Sequence, residues 1–328
     1  MTTHDIPTLH DVFRARRRVY RYLKPTPLHH YASLSDLLGA RVWVKHENHQ
    51  PTGAFKVRGG LNLVAGLSPQ QRQAGLFTAS TGNHGQSIAF AARAHGVRAT
   101  IAVPDNANTG KVAAMRGLGA EVVSYGPDFD VAREWITAVA QERGGCYVGP
   151  TDAPLIQGVG TYALEILEEL PDVDMVFVPV GGGSGASAVS IVAKSINPRI
   201  QVIGAQSAQA PAMQLSWKSG QMVNAEMKTF AEGVATRVPF ENTQIVMRRF
   251  LDDFVLVQDE RIEQAMLLLL EHTHNLAEGA GAVALAAALQ ERERLGGKSV
   301  VLVLSGGNVG LAKLHEILRK SRAGTARP

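Results

Sequence analysis

Short runs rich in β-branched residues recur along the chain, separated by longer stretches rich in alanine and leucine. The runs are RVWVKHE (41–47), GLFTAS (75–80), ATIAVP (99–104), EVVSYG (121–126), MVFVPV (175–180), QVIGAQ (201–206) and SVVLVLS (299–305). Between them lie GQSIAFAARAHG, VAREWITAVAQERG, GTYALEILEEL and RIEQAMLLLLEHTHN. Strands that run parallel need a crossover between them, usually a helix. The alternation therefore predicts an α/β fold of two lobes, each an open twisted, mostly parallel sheet flanked by helices. Residues 65–149 hold three such units in close order and are expected to form a small α/β domain. Residues 1–64 and 150–322 form the larger domain in this reading, and 323–328 are a flexible tail.

Composition narrows the function classes. The 33 basic and 29 acidic residues leave a net charge of +4, too small and too scattered for a nucleic-acid stripe. The run RARRRVYRYLK (14–24) is the exception, and without an aromatic platform it reads as a solvated helix face. The single cysteine, Cys146, excludes an intrachain disulfide and fits a reducing compartment. MTTHDIPTLHD lacks the order of a signal peptide, and no apolar run nears the ~20 residues that span a bilayer. A cytoplasmic protein with no membrane or nucleic-acid partner is expected.

In open α/β sheets ligands gather at the carboxyl ends of strands. There this chain carries STGNHG (80–85), GGGSGAS (181–187) and SGGN (305–308). Successive glycines at a helix start let backbone N–H groups close around a phosphate or carboxylate. GGGSGA also reads as G-x-G-x-x-A through Gly181, Gly183 and Ala186, a dinucleotide fingerprint. That motif needs an acidic residue at the end of the next strand to hold the ribose, and the residue there is Gln206. A lone phosphate is the better reading, with a nucleotide-binding Rossmann-like protein as the alternative from another class. In QPTGAFKVRGG (50–60), Lys56 sits in a glycine-bounded turn beside Phe55. A phosphate nest and such a lysine together fit pyridoxal 5'-phosphate, whose aldehyde condenses with an amine and whose phosphate needs backbone donors.

From TPL (26–28) to NVGLAKL (308–314), the chain resembles the threonine dehydratase and serine racemase family of fold-type II pyridoxal-phosphate enzymes, which are tryptophan synthase β-like in fold. TGAFKVRG matches the family's lysine motif, STGNHG its substrate loop, GGGSG its phosphate loop and SGGN its ring-nitrogen motif. The resemblance implies that Lys56 holds the cofactor covalently and then serves as the base on the substrate's α-carbon. It implies that Phe55 lies against the pyridine ring, that Asn83 bonds the ring hydroxyl, and that Gly181, Gly182, Gly183 and Ser184 hold the phosphate. Ser80, Thr81, Gly82, Asn83 and His84 are the expected receivers of the substrate carboxylate, and Ser305 the partner of the pyridine nitrogen. A hydroxyl there, unlike an aspartate, does not keep the nitrogen protonated, so the ring withdraws electrons less strongly and elimination is favoured over transamination. The implied reaction is loss of water from a β-hydroxy amino acid such as L-threonine or L-serine, giving a 2-oxo acid and ammonia. A homodimer is implied as well.

Departures from the family bear on the substrate. Where the racemase branch carries a metal cluster, this chain has Gln206, Ala210 and Ala212, and no metal is expected there. That branch's arginine aligns with Ala132, beside Arg133, and with Phe129 nearby the pocket reads as apolar, suited to threonine or a bulkier aryl-serine such as phenylserine rather than hydroxyaspartate. Thr81 stands where racemases have their second acid–base serine, which makes it a catalytic candidate and racemization a side reading. Val159 replaces the family's glutamine, and Glu278 matches a segment near the cofactor; neither is given a role. The chain stops near the expected end of a catalytic portion, so feedback through a C-terminal regulatory domain is not expected.

Overall fold

The computed structural model describes residues 6–324. Its strands are β1 (Leu28–His30), β2 (Arg41–His46), β3 (Leu76–Ala79), β4 (Ala99–Val103), β5 (Glu121–Ser124), β6 (Cys146–Tyr147), β7 (Met175–Pro179), β8 (Gln201–Ser207), β9 (Asp253–Val257) and β10 (Ser299–Leu304). Every run read as a strand in the sequence is one here. The strands build a six-stranded sheet in the order β1-β2-β10-β7-β8-β9 and a four-stranded sheet in the order β5-β4-β3-β6. All pairings are parallel except that of β1 with β2. β3, β4, β7 and β10 are buried at every position, which is why they read as continuous apolar runs rather than alternating ones.

Strand order reverses at β3 in the small sheet, whose neighbours are β4 and β6, and at β7 in the large one, whose neighbours are β8 and β10. Such switch points leave a crevice at the carboxyl ends of the strands. The turn at Ser80 follows β3, and the turns at Gly181 and Ser305 follow β7 and β10. Val301 pairs with Val176 and Leu302 with Phe177, so the last two turns leave the sheet side by side.

The chain divides into two compact units, one of residues 1–25 and 50–164 and one of residues 26–49 and 165–328. These limits differ from the expected ones at 64/65 and 149/150. Val19 and Leu23 share one core with Val57 and Leu61, and this core also takes in Leu76 and Ile101 of the small sheet. An apolar helix face is visible in a sequence, whereas the core on which it lands is not. The expected tail, past Gly324, lies outside the described residues. The basic run begins inside the helix Leu9–Val19, capped by Thr8 and Asp11, with Arg16, Arg17 and Arg18 in its last turn, where they suit the negative end of the helix dipole. Among the described residues, no helix is long and apolar enough to cross a membrane.

The unit of residues 26–49 and 165–328 encloses a buried ion pair. Lys45 Nζ lies 2.6 Å from Glu165 Oε2, with the two side chains 0% and 3% exposed. Nζ also donates to the Thr26 carbonyl at 2.6 Å, and Glu165 accepts from the Thr26 backbone N–H at 3.2 Å. Thr26 in turn donates its hydroxyl to Glu47. Removing one partner of such a pair strands a charge, at a cost of ~3–5 kcal/mol, whereas replacing both with apolar groups is close to neutral. In urea unfolding, Lys45→Met is expected to lose stability of that order and Lys45→Met/Glu165→Leu to recover most of it; equal losses in the two variants would refute this account.

Candidate active site

Lys56 opens the helix Lys56–Ala65 rather than standing in a turn; the turn lies just before it, at Gly53 with φ +67°. The two glycines that make VRGG look like a turn are contact points. A Cβ on Gly59 would lie 2.9 Å from the Leu155 carbonyl oxygen, and one on Gly60 2.5 Å from Ser87 Oγ. The helix is thus pressed against both Ala153–Glu169 and Asn83–Ala94. Ser87 Oγ donates to the Lys56 carbonyl at 2.6 Å, which fixes the first turn of the lysine's helix. One residue on, fully buried Arg58 donates to Thr161 Oγ1 at 3.1 Å and, with the Gln50 amide oxygen turned toward it, to that oxygen at 3.0 and 3.2 Å. The half-buried Lys56 amine lies 5.2 Å from the centre of the Phe55 ring, and that ring meets buried Tyr162 edge-on at 6.1 Å.

In the same unit, the STGNHG turn is built around one hydroxyl. Ser80 Oγ accepts from the backbone N–H groups of Gly82 at 3.2 Å and Gly85 at 2.9 Å. Its own proton stays available as a donor. Thr81, Gly82 and Asn83 are partly exposed at the start of the helix Asn83–Ala94, where the first N–H groups point along the axis toward an anion. His84, expected among the residues that receive the substrate carboxylate, turns its side chain inward. The ring is buried, with Nε2 3.1 Å from Thr78 Oγ1 and 3.3 Å from the Val148 carbonyl. Thr78 Oγ1 itself donates to the Val148 carbonyl at 2.8 Å, so Nε2 carries the proton and donates to both oxygens. Burial, reinforced by the nearby Lys56 charge, drives the His84 pKa down to about 3. A neutral imidazole thus ties the start of this helix to β3 and to the segment after β6, and what His84 can offer an anion is its backbone. Neither Thr78 nor Val148 was marked by a motif.

The other unit gathers the remaining motifs. Gly183, with φ +92°, caps the helix Ser184–Ile196, and Thr243 Oγ1 donates to the Gly182 carbonyl at 2.6 Å. A Cβ on Gly181 would fall 2.1 Å from the Gly233 carbonyl oxygen. A Cβ on Gly233 would in turn meet Ala280 Cβ at 2.7 Å and come within 3.8 Å of Glu278 Oε1. The buried Ser305 hydroxyl lies 3.4 Å from the Ala280 carbonyl, and Glu278 N donates to the Gly306 carbonyl at 3.1 Å. The glycine turn, the 232–234 turn, the start of the helix Gly279–Gln290 and Ser305 therefore close on one place. Gly233 and Thr243, which shape the turn from outside, were not legible as site residues.

Several expectations about the substrate change at this level. Ala132 is completely buried with Ile136 and Phe77, so its position looks into a core. Arg133 is paired with Asp130 at 3.1 Å, and Phe129 is 39% exposed. Val159 is buried within the helix Ala153–Glu169. Gln206, at the end of β8, donates to Thr236 Oγ1 at 2.9 Å and accepts from Gln214 N at 3.2 Å. Its amide is committed to protein partners at the place where a dinucleotide ribose or a metal would need a carboxylate.

One unit thus carries a lysine at a helix start beside an aromatic ring, and the other a glycine-lined helix N-terminus packed so closely that a Cβ would collide with its neighbours. The chain belongs to the family described as pyridoxal-phosphate dependent enzymes, which matches residues 19–306. It is 41% identical to an L-threonine ammonia-lyase of Thermotoga maritima over 95% of this chain and 78% of that one. It is 36% identical to an L-threo-3-hydroxyaspartate ammonia-lyase of Saccharomyces cerevisiae over 95% of this chain and 97% of that one. The processed form of threonine deaminase isoform 2 from Solanum lycopersicum superposes with a TM-score of 0.90 at 33% identity, covering 95% of this chain and 94% of that one. Family membership removes the nucleotide-binding alternative.

Two tests address the geometry. Gly181→Ala places a methyl against the Gly233 carbonyl oxygen and is expected to weaken cofactor retention at least tenfold, read as bound-cofactor absorbance after gel filtration. Unchanged retention would mean that the turn does not shape the phosphate site. The second concerns pH. The unfolded chain protonates His84 near the usual 6.5 and the folded protein only near 3, so the unfolded state binds more protons in between and stability falls as pH falls below about 6.5. In urea titrations at pH 7 and pH 5, His84→Gln is expected to lose less stability between the two than the native protein, and an identical loss would contradict the assignment.

Proposed function

We propose that the chain removes water from a β-hydroxy α-amino acid, with L-threonine and L-serine as substrates, and releases a 2-oxo acid and ammonia. The observation that carries this reading is Ser305, a buried hydroxyl and not a carboxylate at the end of β10. Pyridoxal phosphate, when bound, draws electrons from the substrate's α-carbon and so makes its proton removable. Lys56 anchors the cofactor and takes that proton. Phe55 would pack on the ring, Asn83 would bond its hydroxyl, and Gly181, Gly182, Gly183 and Ser184 would donate backbone N–H groups to the phosphate. Ser305 would face the ring nitrogen, to which a hydroxyl offers a neutral hydrogen bond.

The substrate carboxylate is received by Ser80, Thr81, Gly82, Asn83 and the backbone of His84, with the helix start supplying partial positive charge. Loss of the α-proton and of the β-hydroxyl as water leaves an enamine, which tautomerizes and is hydrolysed to the 2-oxo acid and ammonia. Names of similar proteins support a β-hydroxy amino acid, and they include both threonine and hydroxyaspartate. The higher identity to the L-threonine ammonia-lyase, 41% against 36% for the hydroxyaspartate ammonia-lyase, favours threonine. The enzyme acts as a cytoplasmic homodimer in this reading, in keeping with family resemblance and a lone cysteine.

Lys56→Ala is expected to abolish 2-oxo acid formation, by at least 10³-fold, and to remove the borohydride-sensitive absorbance of the holoenzyme; unchanged turnover would refute the role. A panel of L-threonine, L-serine, phenylserine and hydroxyaspartate, with chiral analysis of recovered substrate, is expected to rank threonine first. Preference for hydroxyaspartate would overturn that ranking, and racemized substrate would make Thr81 an acid–base group. Sedimentation of the same preparation is expected at twice 35.1 kDa.

A further inference from the structure

A cavity of about 510 Å³ opens in the unit that carries Lys56, but at the other end of its sheet. It lies at the amino-terminal ends of β3, β4 and β5, lined by Leu76, Phe77, Arg98, Thr100, Glu121 and Arg143 among others. The volume falls within the ~300–1,000 Å³ range of small-ligand pockets. β3 spans four residues from Leu76 to Ala79, roughly 13 Å, so the cavity and Ser80 occupy opposite ends of one strand.

Its chemistry is of two signs over an apolar floor. Leu76, Phe77 and Ala99 are buried and supply the floor. Arg98 Nη2 donates to the Gln73 carbonyl at 3.1 Å, which fixes the guanidinium at the rim and leaves its other N–H groups for a ligand. Glu121 accepts from Thr100 Oγ1 at 2.9 Å, which fixes the carboxylate. Each charge is held by a neutral group and keeps its own sign toward the cavity. Arg143 caps the 14-residue helix Phe129–Glu142, whose carboxyl end adds negative dipole beside it. A simple anion would be opposed by Glu121 and a simple cation by the two arginines.

We propose that this cavity binds a free α-amino acid. Its carboxylate is taken by Arg98 and Arg143, its ammonium by Glu121, and an aliphatic side chain lies on Leu76 and Phe77. The site is separate from the lysine and from the substrate turn, and it does not depend on which amino acid the enzyme converts. A zwitterion satisfies both rim charges at once.

The test titrates L-valine, which has no β-leaving group, into the holoenzyme while heat and bound-cofactor absorbance are recorded together. Occupancy of the substrate site alters the cofactor spectrum, and occupancy of the cavity is spectrally silent. A silent binding phase is expected, absent with isobutyrate or isobutylamine, weakened at least tenfold in Arg98→Ala and in Glu121→Gln, and accompanied by unchanged basal turnover in both variants. No silent phase in the native enzyme, or a silent phase of equal affinity in both variants, would overturn the proposal. A silent phase of equal strength with isobutyrate would do so too, since it would mark an anion site only. Loss of turnover in Lys56→Ala with the silent phase intact would separate this site from the catalytic one.

Discussion

Parallel pairing is the constraint from which the rest follows. A chain that keeps its strands parallel must return each time across the face of the sheet, so all carboxyl ends lie on one edge. In the small sheet that edge carries Ser80 to Asn83, and in the large one it carries Gly181 to Ser184 together with Ser305. Turns far apart in sequence therefore become neighbours without any contact being designed between them. The register of β10 with β7 alone sets the glycine turn beside Ser305, although more than a hundred residues separate them.

Around these turns, polar groups are buried in closed sets. Lys45, Glu165 and Thr26 satisfy one another, and Glu47 joins them through the Thr26 hydroxyl. Arg58 is closed off by Thr161 and Gln50, and His84 by Thr78 and Val148. A half-satisfied network in a dry interior costs more than an apolar one, whereas a complete one rigidifies what it joins.

The strands that carry the motifs were legible because burial on both faces makes them dense apolar runs. β1 and β6, three and two residues long, give too little signal to be read, and DFVLV of β9 is a short run with charged residues close on both sides. The motifs located Lys56, the substrate turn, the glycine turn and Ser305 as positions. They did not reveal direction. His84 belongs to the motif, yet its ring turns inward, because a side chain's partners come from β3 and from the segment after β6, which lie elsewhere in sequence. Gly59 and Gly60 read as a turn because glycine breaks helices in isolation, whereas here two neighbouring helices come so close that only glycine fits. The segments 1–25 and 50–64 were assigned to the larger domain because nothing local in them records which core they will join.

Those two glycines have a wider meaning for the reactive amine. Its position is set by atoms that are missing, since the helix bearing Lys56 comes within contact of its neighbours' main chain at Leu155 and Ser87, with the short Ser87 side chain bonded to the Lys56 carbonyl. A spacer of even one methyl group cannot be absorbed by rotamer change, because the opposing atoms at Leu155 and Ser87 are largely main chain. The lysine is the movable end of an otherwise rigid arm. Its freedom begins at its own Cβ, which suits the proposed role of a side chain that holds one partner, releases it, and reaches a proton a short distance away.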